Sequence, residues 1–331
     1  MSFAVVFNKK YNEYIAIDIV EIGNLYNLSK NNQYDNITCI YISKLNKILN
    51  WKDNGINELP KSLELLSIKD THFTPIKLPK NLRILRLENC NIKRIDDIPV
   101  GLEELIISDN KLRVLESLPL KLRKLDCQNN KICYIDELPD SLTDLNCRDN
   151  AIQHLPDLPD SLEVLNCYNN ALKSIPELPK KLKYLICDFN MLTGLPELPE
   201  SLEYLDCSSN MIESLPKLPK NMYNLDCCYN RIKELPGELP SRLDNFYCNN
   251  NDIEEMPFSF VKLECLKSNP FLKEKPCKKD DINPHRKFNP DITNTPLWKK
   301  LTDDYSKHFL GTPSDENVYQ QYLKDLRKNI V

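Results

Sequence analysis

The chain has 331 residues, of which 28% are charged and 41% hydrophobic, and its formal net charge is −4. That balance suits a folded protein and gives no sign of a nucleic-acid partner, which would normally need a basic face. No apolar run reaches the roughly 20 residues of a membrane-spanning helix. The apolar start, residues 1–7, has no basic flank before it and soon meets Lys9 and Lys10. It is not expected to be a leader peptide, and a cytoplasmic protein away from any membrane is expected.

Residues 1–45 follow no repeat. Residues 3–7 and 14–22 read as strands, with Ile15, Ile17 and Ile19 on one face. A solenoid exposes its apolar core at each end, so this segment is expected to be a strand-like N-terminal cap.

From 46 to 270 a twenty-residue frame recurs. One unit runs Leu142, Leu145, Cys147, Asn150, Ile152, Leu155-Pro156, Leu158-Pro159; the next runs Leu162, Leu165, Cys167, Asn170, Leu172, Ile175-Pro176, Leu178-Pro179. The frame returns at Leu82, Leu102, Leu122, Leu182, Leu202 and Met222, and at Leu243 after one inserted residue near Gly237. Weaker copies lie at Leu63, Leu66 and Ile68, and at Leu49, Trp51, Asn54, Ile56 and Leu59-Pro60; a frayed one lies at Leu263, Cys265 and Asn269. The count is about eleven to twelve units.

This pattern, L-x-x-L-x-L/C-x-x-N-x-L, resembles the leucine-rich repeat family. Its twenty-residue length and Leu-Pro-x-Leu-Pro segment are similar to the short repeats of type III-secreted bacterial effectors. Its Asn-, Lys- and Ile-rich style also resembles leucine-rich repeat proteins of giant, mimivirus-like viruses, which would place it in host cytoplasm or with the virion. The resemblance implies a repeat solenoid, an arc with a parallel β-sheet on its concave face.

Physical chemistry assigns the columns. In each unit L-x-C forms a short strand whose leucine and cysteine point inward. The paired prolines bar a helix on the return path and favour an extended, polyproline-like, largely helix-free convex side. The asparagines, from Asn110 to Asn251, stand where the chain turns off the strand, and an amide there can donate and accept between coils; Cys90 replaces one of them. The cysteine column, Cys127 to Cys248, is filled earlier by Trp51, Ile68, Leu87 and Ile107. A place that accepts Ile, Leu or Cys is a core place, and free cysteine packs as a small hydrophobe. Disulfides and metal are the alternatives, but no histidine accompanies the thiols and an intracellular setting keeps them reduced.

The outward residues of the strands should form a pre-built binding face. Tyr168, Tyr184, Ile186 and Tyr204 fall on neighbouring coils, with Asp188, Asp206, Asp226 and Tyr247 beside them. Aromatics ringed by polar groups mark interfaces, although tyrosine also simply suits a half-exposed sheet.

After 271 the chain is proline-broken and slightly basic. Two short helices are expected, over 297–309 and 314–329, in a C-terminal extension spanning 271–331. The sequence carries no phosphate loop, HExxH or nucleophile elbow. The expectation is therefore a non-enzymatic monomer without metal or cofactor. It would bind a protein partner, with a host protein among the candidates, through its concave face. The alternatives are a substrate-recruiting adaptor or enzyme acting through the tail, and a virion-associated structural protein.

Overall fold

A computed structural model describes residues 3–8, 13–18, 36–43, 58–73 and 76–254. All of them belong to the unit Met1–Pro276. The expected unit at 49–56, the frayed unit after 263 and both C-terminal helices lie outside the described residues.

The described residues form a parallel-strand solenoid of about nine turns without a helix. Strands β1 (Phe3–Asn8) and β2 (Glu13–Asp18) make an antiparallel hairpin, and β1 also pairs antiparallel with β3 (Ile37–Ser43). From β3 onward every neighbour in the main sheet is parallel: β4 (Leu65–Lys69), β5 (Ile84–Glu88), β6 (Glu104–Ile106), then β8 (Lys124–Asp126) and β10 (Asp144–Asn146). The series continues through β11 (Val164–Asn166), β12 (Tyr184–Ile186), β13 (Tyr204–Asp206), β14 (Asn224–Asp226) and β15 (Asn245–Tyr247), completing a thirteen-stranded sheet. The register is uniform: Leu145 faces Leu165, which faces Leu185 and then Leu205.

One column needs correction. The strand beside β4 is β3, with Ile40 against Leu66 and Ile42 against Ile68. Ile42 thus holds the inward place expected of Trp51, which itself lies outside the described residues. The reason is spacing: Ile37, Ile40 and Ile42 repeat the L-x-x-L-x-L motif but stand six residues too far from Leu63 for the twenty-residue frame. All three are buried.

Inside the coils the leucine and cysteine columns form one continuous core. The seven ladder thiols, from Cys127 to Cys248, are fully buried and unbridged. Some are also hydrogen-bonded: the Cys127, Cys167 and Cys227 thiols donate to strand carbonyls of the next coil at 3.3–3.5 Å. Burial raises the pKa of the six from Cys127 to Cys227, to about 12 for Cys147, so the reactive thiolate is suppressed there.

The asparagine column closes the stack. Asn230 donates from Nδ2 to the carbonyls of Cys207, Cys227 and Cys228 at 3.0–3.2 Å, and its Oδ1 accepts from the Ile212 N–H at 2.9 Å. Asn110, Asn130, Asn150 and Asn170 repeat the arrangement. Where Cys90 replaces asparagine, its thiol takes over the donor role toward Ile68 O and Glu88 O. The inserted residue near Gly237 is absorbed on the open back of its coil, for Asn251 still reaches Ile232 N at 3.0 Å, nineteen residues away rather than eighteen.

On the back, each second proline accepts a turn-closing bond, as from Leu162 N to Pro159 O at 3.0 Å. The back is extended, as its prolines demand, with one exception. Strands β7 (Val114–Leu115) and β9 (Tyr134–Ile135) pair in parallel. Both coils lack the first proline, having Glu116 and Asp136 in its place, and the Asp136 N–H bonds to Leu115 O at 3.1 Å. A proline there would have no N–H to give.

Two measurements check this core. Asn230→Ala leaves one buried N–H and several carbonyls without partners, and should cost about 3 kcal/mol in denaturant unfolding. Alkylation read by mass spectrometry should leave the seven ladder thiols unmodified until denaturant is added, while exposed Cys133 reacts at once.

Candidate interaction surface

Three outward columns run across the main sheet. The first holds Val164, Tyr184, Tyr204 and Asn224; the second Asn166, Ile186, Asp206, Asp226 and Tyr247; the third, just past the strands, Tyr168, Asp188, Ser208 and Cys228. All eight residues expected at the site therefore fall on one contiguous stretch, β11–β15.

Their aromatic contacts are specific. Tyr184 and Tyr204 stack with ring centroids 6.1 Å apart and planes at 28°. Tyr204 meets Tyr223 at 6.5 Å, edge to face. Tyr168 does not join this group but packs edge-on against Phe189 at 5.5 Å. Tyr184 and Tyr204 are half-buried, and burial raises their hydroxyl pKa values. Tyr247 stands apart, 43% exposed.

The carboxylates are less exposed than outward positions suggest. Asp188, Asp206 and Asp226 are all buried, as is Ile186. Neighbouring coils press the columns together at roughly the 4.8 Å strand spacing, with Ile186 beside Asp206 and Tyr247 beside Asp226 in the same column. Two of the aspartates have a local partner: Asp206 Oδ1 accepts from Ser208 N at 3.1 Å and Asp226 Oδ1 from Cys228 N at 3.0 Å. Asn146 and Asn166 make the same bond to Arg148 N and Tyr168 N. Ile186 interrupts this column, and in its coil Asp188 Oδ1 is buried without a hydrogen-bond partner.

Burial and the neighbouring Asp226 carboxylate push Asp206 up to about 7; burial and Asp206 push Asp188 well above the ordinary carboxylate range. At the N-terminal end of the sheet the acids are matched instead, Glu104 with Arg86 at 2.8 Å and Glu88 with Lys69 at 3.1 Å.

Sequence reasoning missed one column. The residue before each asparagine is left-handed: Asp109, Asn129, Asp149 and Asn169 take φ of 50–57°. Asp and Asn tolerate that conformation, and Asn169 bonds Asp149 at 2.8 Å. Farther along, Phe189 (φ 53°) and Tyr229 (φ 55°) occupy it, exposed by 46% and 39%. Two aromatics breaking an Asp/Asn column were the available signal. A shallow hollow of about 450 Å³ lies elsewhere on this edge, among Lys69, Asp70, Glu88 and Asn89. Its groups largely bond one another, as Asn89 does Asp70.

Among the described residues no group of three or more His, Cys, Asp or Glu is placed to hold a metal ion, and no helix is long and apolar enough to cross a membrane.

No protein-family model matches the chain, and no curated protein matches it. Solved structures do. YopM from Yersinia enterocolitica is 32% identical over 74% of this chain, with a TM-score of 0.61. InlJ from Listeria monocytogenes, whose functional domain is described as including a cysteine ladder, is 25% identical over 74%, with a TM-score of 0.59. A leucine-rich repeat protein of Leptospira interrogans, 23% identical over 72% with a TM-score of 0.52, shares the fold. The chain spans 58% of the YopM chain, 56% of the InlJ chain and 74% of the Leptospira chain.

The raised aspartates set a pH dependence. Unfolded, Asp206 titrates near 3.8; folded, it keeps its proton to about 7, facing Asp188, Asp226 and the Tyr204 hydroxyl. Between those values the folded state binds more protons, so stability is full at low pH and falls as pH rises through 7. Asp206→Asn keeps the turn bond, as Asn146 and Asn166 do. It should stabilise the chain by on the order of 1–2 kcal/mol near pH 8 and by little near pH 4, read by urea unfolding at each pH.

Proposed function

Because the chain is a leucine-rich repeat protein of the short, proline-backed kind, we propose that it is a non-enzymatic scaffold holding a protein partner against the outward face of β11–β15. Leucine-rich repeat relatives are typically protein-interaction scaffolds, effectors among them. The observation that carries the reading is the stacked Tyr184–Tyr204 pair, half-buried on strands that are each paired on both sides.

A rigid aromatic platform gains contact area on binding with little loss of side-chain freedom. Tyr168, Ile186, Asp188, Asp206, Asp226 and Tyr247 surround it in this reading, supplying a partly polar rim. The parallel sheet spaces these groups at fixed intervals, so the face is pre-organised and little ordering is left to pay on association. Nothing in the arrangement calls for a nucleophile or a general base: the thiols of the ladder are buried and protonated, and the raised aspartates have no histidine or activated hydroxyl beside them.

The test is capture of the partner from lysate by the full chain and by Tyr184→Ala/Tyr204→Ala. The expected result is capture at least about tenfold weaker with the thermal midpoint within about 2 °C, since both rings lie outside the leucine and cysteine core. Unchanged capture with a lowered midpoint would assign the tyrosines to sheet cover alone.

A further inference from the structure

The fold does not need the charges on this face. The turn bond that Asp206 and Asp226 make is made equally by Asn146 and Asn166 in the same column. Asparagine there would avoid the desolvation and mutual repulsion that burial imposes on adjacent carboxylates. Asp188 adds a third acid on the adjoining column, and one of its oxygens is buried without any hydrogen-bond partner. Such an atom costs free energy until something donates to it.

A second departure borders the first. Phe189 follows Asp188 in the chain and holds a left-handed backbone that ordinary side chains adopt at a cost of roughly 1–2 kcal/mol, while keeping 46% of its surface exposed. Every coil from β4 onward holds this place left-handed, so the departure is the exposed aromatic that fills it here where earlier coils have Asp or Asn, its ring edge-on to Tyr168 beside the acids.

From these we infer that Asp188, Asp206 and Asp226, with the Tyr184–Tyr204 stack and Phe189 at the edge, form a receptor for an arginine-bearing segment of a protein partner. The inference rests on the scaffold reading above and names the partner's chemistry. A guanidinium is planar, carries five donors, lies flat on an aromatic ring and can satisfy carboxylates on two neighbouring coils together. The acids are spread one per coil and do not converge as metal ligands, which suits an extended organic cation better than a bare ion. The charges weighing most on Asp188 are Asp206, Asp226 and Asp149, all negative. A cation arriving there would relieve repulsion that the matched acids at the N-terminal end do not suffer.

The experiment uses the full chain and short fluorescein-labelled peptides on one apolar background, carrying arginines, their uncharged citrulline isosteres or glutamates. Anisotropy should show the arginine peptide binding at least about tenfold more tightly than the other two. Asp206→Asn/Asp226→Asn should remove most of that preference, and with it the salt dependence, while the thermal midpoint is kept or raised. Glu197→Gln, on the exposed back, should bind as the parent does. The proposal is overturned if arginine and citrulline peptides bind alike, if the double asparagine variant keeps the preference, or if Glu197→Gln loses as much, which would indicate diffuse charge. It is overturned too if no arginine peptide binds, or if calcium alone titrates the site by calorimetry and the double variant abolishes that heat. Should the citrulline or glutamate peptide bind and lose affinity in Tyr184→Ala/Tyr204→Ala, the scaffold reading stands and only the arginine chemistry falls.

Discussion

A buried amide closing one coil onto its predecessor is the constraint from which the rest of this molecule follows. Each asparagine donates to carbonyls of its own coil and of the coil before, and accepts an N–H from that earlier coil. A chain that leaves a strand every twenty residues must otherwise bury unpaired backbone at every turn. The amide solves this with one side chain per coil. It also fixes direction, because each coil is completed by its successor. Leucines can then stack in register, and a three-residue strand suffices where an isolated strand of that length would not form.

With the turn settled, the inner columns need only fill space. That freedom explains why Ile68, Leu87 and Ile107 give way to cysteine from Cys127 onward without a change in register. The back is governed by proline in the same local way. Coils with the full Leu-Pro-x-Leu-Pro segment stay extended, and where Asp136 replaces the first proline its N–H bonds Leu115 O as β9 pairs with β7.

The sequence was legible wherever a residue type answered to one role. Leu145, Cys147 and Asn150 do so, and the sheet, its register and the buried thiols could be read from them. It was less legible where spacing and role came apart. Ile37, Ile40 and Ile42 carry the motif, but the longer stretch before Leu63 hid them, and Trp51 looked the better fit. The site shows the same division. That Tyr184 and Tyr204 share a face follows from period and alternation. That Asp206 is covered, or that Tyr168 turns to Phe189 and not to Tyr184, depends on how side chains of neighbouring coils lean, which no single repeat contains. The left-handed place of Phe189 was hidden because φ is set by the stack and not by the residue occupying it.

The nineteen-residue reach of Asn251 carries a wider consequence. An odd residue on the back costs the amide nothing, and removal of an entire coil would simply present the next asparagine to the same carbonyls. The length of such a protein is thus a heritable count. Duplication or loss of a twenty-codon block leaves every core bond remade, yet changes which outward residues become neighbours. Losing one coil between β10 and β12 would set Asn146 beside Ile186 and create a different surface on an unaltered frame. Drift in copy number, more than substitution, is the route by which this architecture can acquire new recognition.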